Sequence, residues 1–201
     1  MKKRFNTTGS CNPALHYMVD TSKKLAQIEE YIEEGLYFTI NRARQFGKTT
    51  TMKALFRNLS DRYVVISISF EIGDTIFDSV EGFCEGLDFK IANAAGMSTE
   101  QIDFWQNEHK SSSFEGLSYK ISAFCKSQSK PVLLLIDEVD KSTDNQLFLN
   151  FLGLLRNKFL DRDMKGMNST FHSVVLAGVY DVKNLKLKLR PDEERKYNSP
   201  W

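Results

Sequence analysis

The sequence predicts an α/β fold, a mostly parallel β-sheet flanked by helices on both faces. Three observations carry that expectation. Short β-prone apolar runs alternate along the chain with longer segments of helical period. One run, Val132 to Ile136, is apolar without interruption, as in a strand covered on both sides. Two of the runs lead into chemically pointed residues, Gly47-Lys48-Thr49 and Asp137-Glu138. In parallel sheets, ligands bind beyond the carboxyl ends of the strands.

Length and composition fit one such domain. The chain has 201 residues, within reach of a single large domain at roughly 100–200 residues each. It is 41% hydrophobic and 26% charged, a globular balance. The 27 Lys+Arg and 26 Asp+Glu leave a net charge of +1, which argues against nucleic-acid binding by bulk charge. No apolar run approaches the roughly 18 residues of a membrane helix, so no membrane partner is expected. The basic start, Met1-Lys2-Lys3-Arg4, has no apolar stretch behind it, unlike a secretory signal. Cys11, Cys84 and Cys125 form no CxxC pair, and reduced thiols in a cytoplasmic protein are expected.

The elements follow in order. Residues 1–20 read as largely irregular, with Gly9, Asn12 and Pro13 as breakers. Leu25, Ile28, Tyr31 and Ile32 predict a helix over Thr21–Glu34, and Gly35 suits its C-terminal turn. Leu36–Ile40 is the first strand. A helix follows through Met52, Leu55, Phe56 and Leu59. Tyr63–Phe70 is the second strand. Asp74 is the expected N-cap of a helix with Ile76, Val80, Phe83, Cys84, Leu87 and Ile91 inward, weakened slightly by Gly82 and Gly86. Ser98/Gln101 and Ser112/Glu115 are candidate capping boxes for two further helices. Pro131–Asp137 is the third strand. Thr143/Gln146 caps a helix carrying Phe148, Phe151, Leu152, Leu155 and Phe159. Ser173–Tyr180 is the fourth strand. Leu185, Leu187 and Leu189 alternate with lysines as an edge strand or an amphipathic extension.

The chemistry centres on Asn41-Arg42-Ala43-Arg44-Gln45-Phe46-Gly47-Lys48-Thr49-Thr50, between a strand and a helix. Gly47, Lys48 and Thr49 match the second half of the phosphate-loop pattern GxxxxGK[ST], and Arg42 stands where its first Gly belongs. Gly47 lets the backbone approach a phosphate, and the helix N-terminus presents N–H groups to it. Lys48 can reach the β- and γ-phosphates, Thr49 can ligate Mg²⁺, and Thr50 can bond the α-phosphate. Gln45 and Phe46 complete the loop around the nucleotide. Arg42 and Arg44 either clamp the phosphates or pair with carboxylates elsewhere.

Val132 to Glu138 has the form of the acidic strand that completes such sites. A carboxylate at the tip of a buried strand needs compensation, which a Mg²⁺ ion on Asp137 provides. Glu138 is placed to take a proton from an attacking water. The two motifs together predict a three-layer P-loop NTPase core. The strand Tyr63–Phe70, lying between them in sequence, suits the division of P-loop ATPases that carries additional strands.

At this point the sequence resembles the bacterial predicted AAA-ATPase-like family, a group of AAA-like P-loop ATPases. Tyr17-Met18-Val19-Asp20-Thr21 is similar to that family's Tyr-x-Val-Asp-Lys-Thr, without the Lys. Arg42-Ala43-Arg44-Gln45-Phe46-Gly47-Lys48-Thr49 is similar to its Arg-Pro-Arg-Arg-Phe-Gly-Lys-Ser, which also lacks the first Gly. The strand ends Asp137-Glu138 and Ala177-Gly178-Val179-Tyr180 correspond as well. The resemblance implies an ATP-binding core over most of the chain, with hydrolysis. It also implies a helical lid beyond the core, which the chain is expected to lack, as a truncated product would. The expected organisation is an N-terminal arm and helix over 1–35 and the ATPase core over 36–201.

Other residues have two readings. Tyr180 and Asp181 either sense the γ-phosphate or simply end a strand. Tyr17 and Asp20 either touch the adenosine or pack the arm. Arg156 and Arg162 either act as arginine fingers in trans or are solvated. His16, His109 and His172 read as structural or surface, and Phe104 and Trp105 as core. The leading expectation is a Mg²⁺-dependent ATP-binding protein, an ATPase or nucleotide switch. The alternatives are a non-hydrolysing ATP-binding regulatory module and a small-molecule P-loop kinase. A GTPase is disfavoured because Asn157-Lys158-Phe159-Leu160 lacks the guanine-reading acid. A homo-oligomer is left open.

Overall fold

The protein is described by a computed structural model, over residues 3–6, 14–17, 19–41, 47–70, 75–108, 111–139 and 146–178. Four strands form one parallel sheet: β1 (Tyr37–Asn41), β2 (Val64–Ser69), β3 (Val132–Asp137) and β4 (Ser173–Gly178). Their order across the sheet is β1-β4-β3-β2. Leu134 lies beside Ile66 on one side and Val174 on the other, and Phe38 lies beside Val175.

Among the described residues, the helices around the sheet are α1 (Ser22–Glu33), α2 (Lys48–Leu59), α3 (Val80–Ala94), α4 (Thr99–Glu108), α5 (Phe114–Ser127), α6 (Gln146–Leu160) and α7 (Arg162–Lys165). Every residue of β3 and β4 is buried, as the unbroken apolar run implies. Side chains alternate across a strand. Leu133, Leu135, Val175 and Ala177 therefore pack with Ile28, Ile32, Met52, Leu55 and Leu59 of α1 and α2. Leu134, Ile136, Val174 and Leu176 pack with Phe83, Leu87, Phe124, Phe148 and Phe151 of α3, α5 and α6. The result is the three-layer fold expected, with helices on both faces.

Most local signals hold. Gly35 ends α1 at φ 71°. Its N–H donates to the Ile32 carbonyl at 2.9 Å, and Leu36 N–H donates to the Tyr31 carbonyl at 3.0 Å, a Schellman termination. Ser98 and Gln101 form the expected capping box: Ser98 N–H donates to Gln101 Oε1 at 2.8 Å and Gln101 N–H to Ser98 Oγ at 3.3 Å.

Two caps are displaced. The cap of α5 is Ser113, not Ser112; it is extended at φ −140° and its Oγ accepts from Gly116 N–H at 3.2 Å. The cap of α3 is Ser79, whose Oγ accepts from Gly82 N–H at 2.9 Å. Asp74 lies outside the described residues. Ile76 sits in a 3₁₀ turn, Thr75–Phe77, that leans on α3. A Cβ on Gly86 would come within 2.5 Å of Ile76 Cγ2. That glycine weakens the helix but makes room for the turn. The alternating segment Leu185–Leu189 lies outside the described residues.

Candidate functional site

Helix α2 begins beyond the carboxyl end of β1. Gly47 is its N-cap, left-handed at φ 76° and ψ 21°, a conformation glycine adopts without steric cost. No side chain caps this end, and its first turn carries no acid. The helix thus presents its positive end and the buried Lys48 together. Burying lysine is costly unless a charge or hydrogen bond answers it.

Asp137 ends β3, two strands away across β4. It is buried at 8% exposure. Its carboxylate is held at both oxygens. Thr49 Oγ1 donates to Oδ2 at 2.9 Å, and Glu138 N–H donates to Oδ1 at 2.9 Å. Glu138 has φ 60°, the one non-glycine residue in the left-handed region among the described residues. Such conformations persist where surrounding structure fixes them, and they gather at functional sites. Asp137 therefore joins three things: the start of α2, the tip of β3 and the turn that sets Glu138.

Sheet order explains why residues far apart in sequence meet. The chain leaves β1 for the opposite edge at β2, then returns through β3 to β4 beside β1. The carboxyl ends of β1 and β3 then flank that of β4, where a ligand of a doubly wound sheet binds. Gly47, Lys48, Thr49, Asp137 and Glu138 all belong to that end. Thr50 follows in the first turn of α2, half-buried.

A model of the AAA-like domain family matches residues 10–180. The chain belongs to the AAA-like domain family. Membership makes it a nucleotide-binding protein of the P-loop type. A search of curated proteins finds no match.

The other sequence candidates of this AAA-like domain have separate outcomes. Arg42, Arg44, Gln45, Phe46, Tyr180, Asp181 and His109 lie outside the described residues. Tyr17 is exposed and stacks on Phe5 with ring centroids 5.0 Å apart. Asp20 Oδ1 accepts from Ser22 Oγ at 2.6 Å and Ser22 N–H at 2.9 Å. Those bonds, the hydroxyl first, hold its carboxyl below the usual range.

Two readings are corrected. Arg162 is neither a finger nor solvated. It is buried at the opposite, amino-terminal end of the sheet, donating to the His172 carbonyl at 2.8 Å and the Gly35 carbonyl at 3.0 Å. Its guanidinium lies 3.9 Å from the Phe159 ring centroid. Phe104, expected in the core, is 67% exposed. The sequence also gave no signal for the left-handed Glu138, because glutamate carries no marker for that conformation. Cys84 and Cys125 are free and buried. Burial pushes their thiols up to about 11 and about 12, away from thiolate reactivity.

Proposed function

We propose that this AAA-like domain binds ATP with Mg²⁺ at the carboxyl end of its sheet and hydrolyses the γ-phosphate. The observation that carries the reading is the 2.9 Å hydrogen bond from Thr49 Oγ1 to Asp137 Oδ2. It places a hydroxyl and a carboxylate, both hard oxygen donors, beside the start of a helix that favours anions. Magnesium keeps several waters and takes one or two protein oxygens plus substrate phosphates. Two oxygen side chains at a phosphate site fit that demand. Among the described residues there is no cluster of three or more His, Cys, Asp or Glu that would suit an all-protein cage instead.

Thr49 and Asp137 would hold the cation, which when bound neutralises charge on the phosphate oxygens. Lys48 contributes a second positive charge at the start of α2. The N–H groups of the first turn bind phosphate oxygens and fix the chain of phosphates in line. Glu138 follows the metal-holding carboxylate directly, and its carboxylate accepts the proton of the attacking water. Asp137 fixes the Glu138 backbone through Oδ1, so the base and the cation site share one anchor. The loop arginines Arg42 and Arg44 add cationic groups to the phosphates, and Gln45 and Phe46 belong to the same loop.

The test is a thermal-shift titration with Mg·ATP, beside a phosphate-release assay. A ligand that binds only the folded state at 100 times its dissociation constant adds about 2.7 kcal/mol of stability. The shift is expected with the native chain and lost in Lys48→Ala. Glu138→Gln is expected to retain the shift while turnover falls about 10²-fold or more. Binding that survives Lys48→Ala would sink the phosphate assignment. Binding without turnover in the native chain would favour the non-hydrolysing module. Phosphate appearing on an added hydroxyl acceptor rather than in solution would favour the kinase.

A further inference from the structure

A groove of about 910 Å³ runs between α5 and α6, lined by none of the nucleotide-site residues. Ser118, Ser122 and Ala123 of α5 line it along with Gly153, Leu154 and Lys158 of α6. Two of these residues, Gly153 and Lys158, stand out.

Gly153 lies inside α6, where glycine is disfavoured against alanine. Its φ is not positive. A Cβ placed there would meet nothing within 4 Å. Gly86 differs, because Ile76 fills the space that it leaves. The room above Gly153 opens into the groove.

Lys158 is nine-tenths buried in the groove wall, and its Nζ donates to Ser122 Oγ at 2.6 Å. Burial pushes its amine below the usual range. Among the described residues no carboxylate pairs with it. The nearby Asp161 pairs with Lys165 instead. The Lys158 hydrogen bond goes to a neutral hydroxyl, and an anion brought beside the amine would offset the cost of carrying its charge there. Lys126 adds positive charge to the same groove, against one acid of its lining, Glu115, that stands outside the Lys165–Asp161 pair.

Helix α4 has the complementary face. Glu100, Asp103, Phe104 and Asn107 recur at helical spacing, and all are exposed. Phe104 is 67% exposed. The helix contains no Lys or Arg. Its opposite face is anchored, with Ile102 buried and Trp105 Nε1 donating to Asp88 at 2.8 Å. At 1.5 Å per residue, α4 is about 15 Å long, close to three turns of groove wall.

We propose that α4 of a second copy of this chain docks in the α5–α6 groove, with Phe104 over Gly153 and Leu154 and an acid of its stripe on Lys158. The two surfaces differ, so each copy offers one of each and the contact joins unlike patches. An aromatic anchor in a pocket rimmed by charge is the usual composition of an energetically dominant contact.

Sedimentation velocity of the full chain across concentration and salt tests this. Association is expected, weakening as salt rises. Gly153→Leu fills the groove and is expected to weaken association at least tenfold with no loss of melting temperature. Phe104→Asp removes the anchor and is expected to weaken it similarly. The decisive measurement mixes the two variants. The first keeps α4 and the second keeps the groove, so the mixture is expected to associate as a 1:1 dimer when neither variant does alone. A chain that stays monomeric at every concentration overturns the proposal. Association indifferent to both substitutions, or a mixture that does not recover, also overturns it.

Discussion

Asp137 shows how much one carboxylate can organise. One oxygen takes the Thr49 hydroxyl and the other takes the Glu138 backbone. The second bond accompanies a backbone that L-residues avoid, at φ 60°. A left-handed residue with a Cβ costs roughly 1–2 kcal/mol relative to its ordinary conformation. Glycine does not carry that cost. Glu138→Gly is therefore expected to be about 1 kcal/mol more stable than Glu138→Ala in urea unfolding, although both lose the carboxylate. Equal stabilities would mean that the turn relaxes and stores no strain. The candidate site was legible in part for the same reason. Gly47-Lys48-Thr49 and Asp137-Glu138 announce their chemistry by residue type. The left-handed turn between Asp137 and Val139 sits beside a contact across 88 residues of sequence, and no residue type marks either.

At the scale of elements, the helical layer over β2 and β3 is fastened by a buried polar cluster. Asp88 of α3 accepts from Trp105 Nε1 at 2.8 Å, Ser111 Oγ at 3.1 Å and Lys120 Nζ at 2.8 Å. Lys120 also donates to the Trp105 carbonyl at 2.7 Å. The Asp88 and Lys120 side chains are only 4% and 3% exposed. Breaking such a pair from one side strands a buried charge, at a cost of about 3–5 kcal/mol. Lys120→Met is expected to lose that much in denaturant unfolding. Asp88→Asn added to Lys120→Met is expected to recover most of it, because the amide oxygen still accepts from Trp105 Nε1 and the amide NH2 can donate to Ser111 Oγ. A double variant as weak as the single would mean that the packing of Lys120, not the stranded charge, sets the cost. Periodicity alone could locate α3, α4 and α5, since each buries a stripe of apolar residues. It could not reveal that an aspartate and a lysine on inward faces pair with each other. It also misplaced Phe104, because α4 turns Ile102 and Trp105 inward and leaves residue 104 on the outer face.

Across the whole molecule, the two ends of the sheet have divided their labour. The carboxyl end gathers Lys48, Thr49, Asp137 and Glu138. The amino end is closed by packing and by Arg162. The sheet order that makes this possible was only partly legible: the unbroken run of β3 announced a covered strand, but nothing local says that β4 enters between β1 and β3. Tyr63 and His172 meet at the closed end, with ring centroids 5.4 Å apart. Burial holds the His172 imidazole below its ordinary value of 6.5. The fold therefore prefers the neutral ring. Its contribution is present above pH 6.5 and is lost as pH falls from there through the lowered folded value. The melting temperature of the native chain is expected to fall between pH 7.5 and pH 5 more than that of His172→Phe, and parallel profiles would remove His172 as the cause. Arg162 gives the sharper test, because a trans-acting finger and a structural clamp fail differently. Its guanidinium bonds two carbonyls that precede β1 and β4 and stacks on Phe159. Charged hydrogen bonds are worth about 1.5–3 kcal/mol each, and Arg162→Met leaves both carbonyls unanswered. The expected outcome is a loss of about 3 kcal/mol or more of unfolding free energy, with turnover per folded molecule unchanged below the melting transition. A finger would give the reverse, native stability with a collapsed kcat. The amino end lies a full strand length from Asp137, so the clamp holds the sheet that carries the candidate site without reaching it.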